Sequence, residues 1–370
     1  MSGIVSLKDK FYGCIAGTHV GAAMGAPVQG WSHREIEETY GTLDRLLAYE
    51  RNHNGWLREP GTTEEGVERQ KLLITAIVEK QDRVNAEDLR SIWVRDLKQD
   101  WANKLAEPFD ATLLALARSG IPARDIGRYS DYAGLNTFAG YCHPIGLINA
   151  GDVKSAIHDA FELAQLYQIS KSYAVRWSGV TAAAIASATK PGATIDNVIA
   201  DIYRYCDYSD LVHKIDGSKY SYLRDNVIDE LDAGLKRTAQ CQDYRELAQA
   251  FDKVYHGCGV PYGMSYANEA LTKAICIVRM VKGNVHEAIL AAVNLGRDAD
   301  CVAALAGGIA GALTGSASLP EHYIQQVDRA TGLNEVSSSQ KTIREQADGL
   351  YQAFRVRLQK VNSFVEEMLA

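Results

Sequence analysis

Glycine recurs every fourth residue at two places near opposite ends of this chain: Gly13, Gly17, Gly21 and Gly25, then Gly307, Gly311 and Gly315. On a helix that spacing puts each set in a single stripe. Glycine in a helix interior costs about 1 kcal/mol relative to alanine, so two such stripes need a compensating contact. Close approach of one helix backbone to another supplies it. The pattern predicts unusually tight helix packing and, alone, names no chemistry.

The rest of the chain also reads as helix. Leu72, Leu73, Ala76, Ile77 and Lys80 recur at helical spacing, as do Ala160, Leu163, Ala164 and Tyr167, and Ala270, Ala274, Ile277, Val278 and Val281. Near the C-terminus, Ile343, Ala347, Leu350, Phe354, Leu358, Val361 and Val365 step by threes and fours, with charge on the other face. An amphipathic helix is expected over 337–368, docked on the body of the protein; pairing with another chain is the minority reading. No run shows clean period-two alternation and no Asn-Gly or Asp-Gly hairpin is picked out, so no strands are expected. The reading is an all-α protein of a dozen or more helices, in one domain over 1–370, because no Pro/Gly/Ser linker divides it. The Tyr-rich stretch Tyr203 to Tyr222 is expected to be a surface insertion.

Composition excludes several classes. Hydrophobic residues at 46% and charged residues at 23% exclude a disordered or collagen-like chain, and 8 prolines against 31 glycines argue against a Pro-rich linker protein. With 39 basic and 46 acidic residues the net charge is −7, which disfavours nucleic acid and anionic membranes as partners. The N-terminus shows no basic region followed by an apolar one. The most apolar run, Val302 to Leu313, is too short to span a bilayer. Seven scattered cysteines (Cys14, Cys142, Cys206, Cys241, Cys258, Cys276 and Cys301) include no Cys-x-x-Cys pair. Free thiols, a cytoplasmic location and no zinc finger are the expectation.

Two acidic clusters precede helical segments, Gly61-Thr62-Thr63-Glu64-Glu65-Gly66 and Gly296-Arg297-Asp298-Ala299-Asp300-Cys301. Each has a structural reading: Thr62-x-x-Glu65 fits a capping box, and Asp298 is a good N-cap. Each also has a functional one, since carboxylates and a threonine hydroxyl are the oxygen ligands that Mg²⁺, Mn²⁺ or Ca²⁺ take. Helix dipoles do not favour a cation there, so the carboxylates would have to dominate.

Four separated stretches, covering roughly residues 8 to 316, resemble the ADP-ribosylglycohydrolase family. FYGCIAGTHVGAAMGAPVQG resembles its glycine-rich opening helix and Gly-Ala-Pro turn. GTTEEG stands where the family has a Gly-x-Thr-Asp-Asp-Thr type motif. GLNTFAGYCHPIG is similar to its substrate loop, and NLGRDADCVAALAGGIAGALTG to its C-terminal Gly-x-Asp-Ala-Asp-Thr motif and following helix. The resemblance implies an all-α hydrolase that removes ADP-ribose from modified side chains with two Mg²⁺ or Mn²⁺ ions; for this chain one or two Mg²⁺, Mn²⁺ or Ca²⁺ ions are expected. The implied metal ligands are Thr63, Glu64, Glu65, Asp298, Asp300 and Cys301. Asn136, Thr137, Phe138, Tyr141 and His143 would form the substrate loop. Gln29 stands where the family's acid/base glutamate follows the Gly-Ala-Pro turn.

Departures from that pattern carry chemical weight. Glu64 and Glu65 each add a methylene to an aspartate, about 1.5 Å of reach. Cys301 is a poor ligand for a hard cation, and Gln29 exchanges no proton as a carboxyl does. Asn136-Thr137 replaces Asn-Gly, and Tyr141 stands where arginine is usual. Among other residues, His143 sits between a ligand-contacting and a structural reading, while Phe138 and Tyr141 could stack on a base or sugar or belong to the core. His19 is read as structural, and Trp56, Arg58 and Glu59 as rim or solvated loop. Gly257 to Gly263 is read as a turn before a helix rather than a phosphate loop. The expected function is metal-assisted hydrolysis of an N- or O-glycosidic bond to ribose, with Glu64 or Glu65 as the surviving acid/base carboxylate. The alternative is a pseudoenzyme that binds ADP-ribose or a nucleotide sugar. The partner is a small-molecule or protein-linked ribosyl substrate, and oligomeric state is left open.

Overall fold

The computed structural model describes residues 5–51, 54–97, 108–130, 134–169, 173–207, 227–255 and 265–370. Residues 208–222 of the Tyr-rich stretch, the Gly257 to Gly263 motif and Cys258 lie outside them. Among the described residues there are seventeen α-helices. No helix among them is long and apolar enough to cross a membrane.

The two glycine stripes face one another. They lie on the opening helix, Leu7–Gly25, and on the antiparallel helix Ala299–Thr314. A Cβ built on Gly17 would fall 2.2 Å from the Gly307 carbonyl oxygen, one on Gly21 2.3 Å from that of Ala303, and one on Gly311 2.0 Å from that of Gly13. Backbone meets backbone, which only glycine allows. Both helices are buried nearly from end to end, so the stripes form the axis on which the other helices pack.

The register of this contact also brings two sequence motifs together. At its far end Gly25 lies against Ala299 and Asp300, so the turn after the first helix reaches the start of the second. The Gly30 amide donates to the Arg297 carbonyl at 2.7 Å, and the Arg297 amide to the Trp31 carbonyl at 2.6 Å. Gly296, at φ +68°, has no room for a side chain against the Trp31 carbonyl oxygen.

Two expectations change. A short antiparallel ladder pairs Tyr49–Glu50 with Leu57–Arg58, in place of no strands. Asn54-Gly55, between the two strands, is a hairpin signal that a search for period-two alternation passes over. The C-terminal helix runs Ile343–Leu369, starting later than 337, because Thr342 and Glu345 form a capping box. Ile343, Ala347, Leu350 and Phe354 are buried against the body, whereas Leu358, Val361, Phe364 and Val365 are exposed. Only the first half of the stripe docks.

Candidate active site

Segments remote in sequence converge where the turn after Gly25 meets the start of the Ala299–Thr314 helix. Asp298 holds the N-cap position of that helix but makes no capping hydrogen bond. Its carboxylate instead accepts from Gln29 Nε2 at 3.1 Å and Asn136 Nδ2 at 2.6 Å. Asn136 reaches it because its backbone is pinned to the Ser265 carbonyl, with Leu135 bridged to Tyr266. The capping-box reading of Thr62-x-x-Glu65 also fails: the helix Glu65–Lys80 has Glu64 at its N-cap and no side-chain cap. Capping thus accounts for neither acidic cluster.

Asp300 lies in the first turn of its helix. Its Oδ1 is buried and has no hydrogen-bond partner. Burial, with the Asp298 and Glu65 charges beside it, holds its carboxyl well above the ordinary aspartate value, and Arg51 pulls the other way. Burial raises Asp298 too, against its hydrogen bonds to Gln29 and Asn136. Asp298, Asp300 and Cys301 bring one ligand atom each within 4.8 Å of one another.

The glutamate half is organised differently. The hairpin carries Tyr49 and Arg58 on its strands and Arg51 just beyond them. Arg58, 1% exposed, places Nε 2.5 Å from Glu64 Oε1. The Tyr49 hydroxyl donates to the same oxygen at 2.6 Å. Arg51 Nη1 lies 3.0 Å from Glu65 Oε2 and 3.7 Å from Glu64 Oε2. Burial and the neighbouring Glu65 push the Glu64 carboxyl up to about 7, against the pull of the two guanidinium groups. Arg58 also lies under the Trp56 ring, 4.3 Å from its centre, so it belongs to the interior rather than to a rim; Glu59 is exposed. Thr63 is buried in the turn before Glu64.

The substrate-loop residues divide. Asn136 enters the site and Thr137 is buried beside it on the loop. Phe138 stacks on Tyr167 at 5.0 Å and is core. His143 is fully buried; its Nδ1 lies 3.2 Å from Gln70 Nε2, and the other end of that amide meets His19 Nε2 at 3.1 Å. Burial pushes both imidazoles down to about 3, so both are neutral interior groups. Tyr141 lies flat against Gly66, where a Cβ would come 2.1 Å from its ring, and its hydroxyl lies 3.6 Å from Cys301 Sγ. Burial and the two aspartates hold the Cys301 thiol far above its ordinary value. In the absence of an ion the thiol is protonated, and a soft sulfur is a poorer partner for a hard cation than the two carboxylates beside it. Sequence reasoning missed Tyr49 and Arg51, and assigned Arg58 to the surface. The Asn54-Gly55 turn that delivers all three was their one signal.

The donor set fits one divalent cation at Asp298 and Asp300, where an unpartnered buried oxygen awaits a positive charge. It fits a second at Glu64 and Glu65 poorly, because both Glu64 oxygens and Oε2 of Glu65 already face guanidinium groups.

Comparison with known proteins bears on the fold and family. The family model described as ADP-ribosylglycohydrolase matches residues 4–359. An uncharacterized protein of Archaeoglobus fulgidus is 23% identical over 335 residues, spanning 90% of this chain and 96% of that protein. A solved structure described as an ADP-ribosylglycohydrolase-related protein complex shares the fold, with a TM-score of 0.62 at 16% identity over 95% of this chain and 98% of that one. With nearly its whole length matched by one family and its axis and acidic motifs in that order, the chain belongs to the ADP-ribosylglycohydrolase family.

Proposed function

We propose that this protein hydrolyses an N- or O-glycosidic bond to the ribose of an ADP-ribosyl or related ribosyl substrate. One observation carries the reading: Asp298 and Asp300, buried at a helix start they do not cap, leave Asp300 Oδ1 without a partner. Evolutionary packing alone gives no reason to bury two carboxylates side by side, because each costs several kcal/mol of desolvation. A Mg²⁺ or Mn²⁺ ion held by Asp298 and Asp300 would supply Lewis-acid polarisation and orientation of the ribose hydroxyls. Gln29 and Asn136 fix the Asp298 carboxylate by donating to its two oxygens. Glu65 is the acid/base carboxylate: Arg51 holds its Oε2, and Oε1 takes the proton of the attacking water. Glu64, engaged by Arg58 and Tyr49, anchors the hairpin. Gln29 donates no acidic proton, so leaving groups that depart unprotonated, such as a carboxylate, are favoured.

The pseudoenzyme reading has its own support in the Gln29 amide at the acid/base position and the Cys301 thiol tied to Tyr141. Hydrolysis assays across ribosylated proteins and small nucleosides, with Mg²⁺, Mn²⁺ or Ca²⁺ and after chelation, separate the two. Hydrolysis predicts turnover that disappears in Asp300→Ala. Absence of turnover across the panel, with micromolar ADP-ribose binding, would establish a binder.

A further inference from the structure

The charge balance of the site points beyond this reading. Glu64, Glu65, Asp298 and Asp300 bring four carboxylates to one buried region, and all are at most 7% exposed. Two guanidinium groups stand among them. Arg58 faces Glu64, through the 2.5 Å contact to Oε1 and a 3.4 Å hydrogen bond from Nη2 to Oε2. Arg51 does more. It lies 3.0 Å from Glu65 Oε2 and 3.7 Å from Glu64 Oε2, and its charge acts on Asp300 across the site. It is the group that all but one of these carboxylates feel.

We propose that Arg51 is a resident cation, occupying the electrostatic position of a second divalent ion, so that the site exchanges one ion rather than two. Geometry supports the substitution. A magnesium ion bound by Glu65 would sit about 2.1 Å from its oxygen. The guanidinium nitrogen already faces Oε2 at hydrogen-bond distance, and an ion beside it would meet an unscreened positive charge in a low-dielectric surround. Arginine suits the task because it stays charged even when buried, and its planar fork spans two carboxylates. Its place in the fold is fixed: it directly follows the Tyr49–Glu50 strand, whose partner strand ends in Arg58. The longer reach of two glutamates, where aspartates would be shorter, matches a partner that bonds through 3 Å hydrogen bonds rather than 2.1 Å coordination. The remaining pair, Asp298 and Asp300, keeps the exchangeable ion.

This inference rests on the assignment of Asp298 and Asp300 as an ion site, not on hydrolysis, and ion counting reads it whether or not turnover is found. The experiment is Mn²⁺ binding to the full chain by equilibrium dialysis and electron paramagnetic resonance, for wild type, Arg51→Lys, Arg51→Gln and Arg51→Ala. Circular dichroism confirms folding of each. Wild type and Arg51→Lys should bind one Mn²⁺, and Arg51→Gln and Arg51→Ala one more. Millimolar guanidinium ion should displace the ion that Arg51→Ala gains. Two ions in wild type would overturn the proposal even if no variant folds. Folded Arg51→Gln and Arg51→Ala that bind no more Mn²⁺ than wild type would overturn it as well.

Discussion

The two acidic segments look alike in sequence, each a pair of carboxylates at the start of a helix, and they end up in opposite electrostatic states. Glu64 and Glu65 meet Arg58, Arg51 and the Tyr49 hydroxyl, delivered by a hairpin. Asp298 meets neutral amides from Gln29 and Asn136, while Asp300 feels the Arg51 charge without a direct ion pair and its Oδ1 has no hydrogen-bond partner. A buried carboxylate with a resident counter-charge needs no ion to balance it. One without is a candidate cation site, and the difference lies in the neighbours rather than in the motif.

The largest effect should come from disturbing what holds both halves together. Gly17→Leu would drive a side chain into the Gly307 backbone and should cost about 3 kcal/mol or more of stability. Because this contact also sets the register of Gln29 against Asp298, Mn²⁺ affinity and melting temperature should fall together; a variant that melts like wild type would mean the stripe is not a packing surface.

Next, the halves should separate by mutation. Arg58→Met leaves Glu64 buried without its main partner and should lower unfolding free energy by about 3–5 kcal/mol. Asp300→Asn removes a buried carboxyl group whose Oδ1 has no hydrogen-bond partner and should raise it by about 1 kcal/mol, while abolishing ion binding and cutting turnover about 100- to 1000-fold. Denaturant titration of both checks the opposite signs, and equal losses would erase the distinction.

Titration gives a smaller signature. Glu64 ordinarily titrates near 4.5 and is held up to about 7. Between those values the folded protein keeps a proton that the unfolded chain has released. Stability should therefore be highest below about 4.5 as far as this group is concerned, and should decline as pH rises to about 7. Glu64→Gln should flatten that slope in melts taken from pH 4.5 to 7.5. The smallest effect is expected for Gln29→Ala, which loses one hydrogen bond to a charged group. It should cost about 1.5 kcal/mol or less and weaken Mn²⁺ binding about tenfold, by isothermal titration calorimetry.

The axis of the fold was legible because backbone-to-backbone contact demands glycine at four-residue spacing, and Gly13 to Gly25 and Gly307 to Gly315 carry that demand openly. Asp298 and Asp300 were legible for a related reason: their position at a helix start is local. Spacing could not show that neither they nor Glu64 would act as caps, since Gln29 and Asn136 arrive from distant segments. Arg51 and Tyr49 were hidden because their meaning depends on a two-residue strand pair too short to show alternation. Phe138 and His143 were drawn toward substrate by their place in a motif, whereas Tyr167 and Gln70, distant in sequence, hold them in the core. At the C-terminal helix one periodicity covers a docked half and an exposed half, because hydrophobic spacing records a face and not what it meets.

The central claim is that one half of this site carries its own cation and the other binds one from solution. Crystals soaked in Mn²⁺ and measured for anomalous scattering test it directly. The account predicts one peak, bounded by Asp298 and Asp300, with Arg51 still paired to Glu65. A second peak coordinated by Glu64 and Glu65 in the wild-type protein would contradict it.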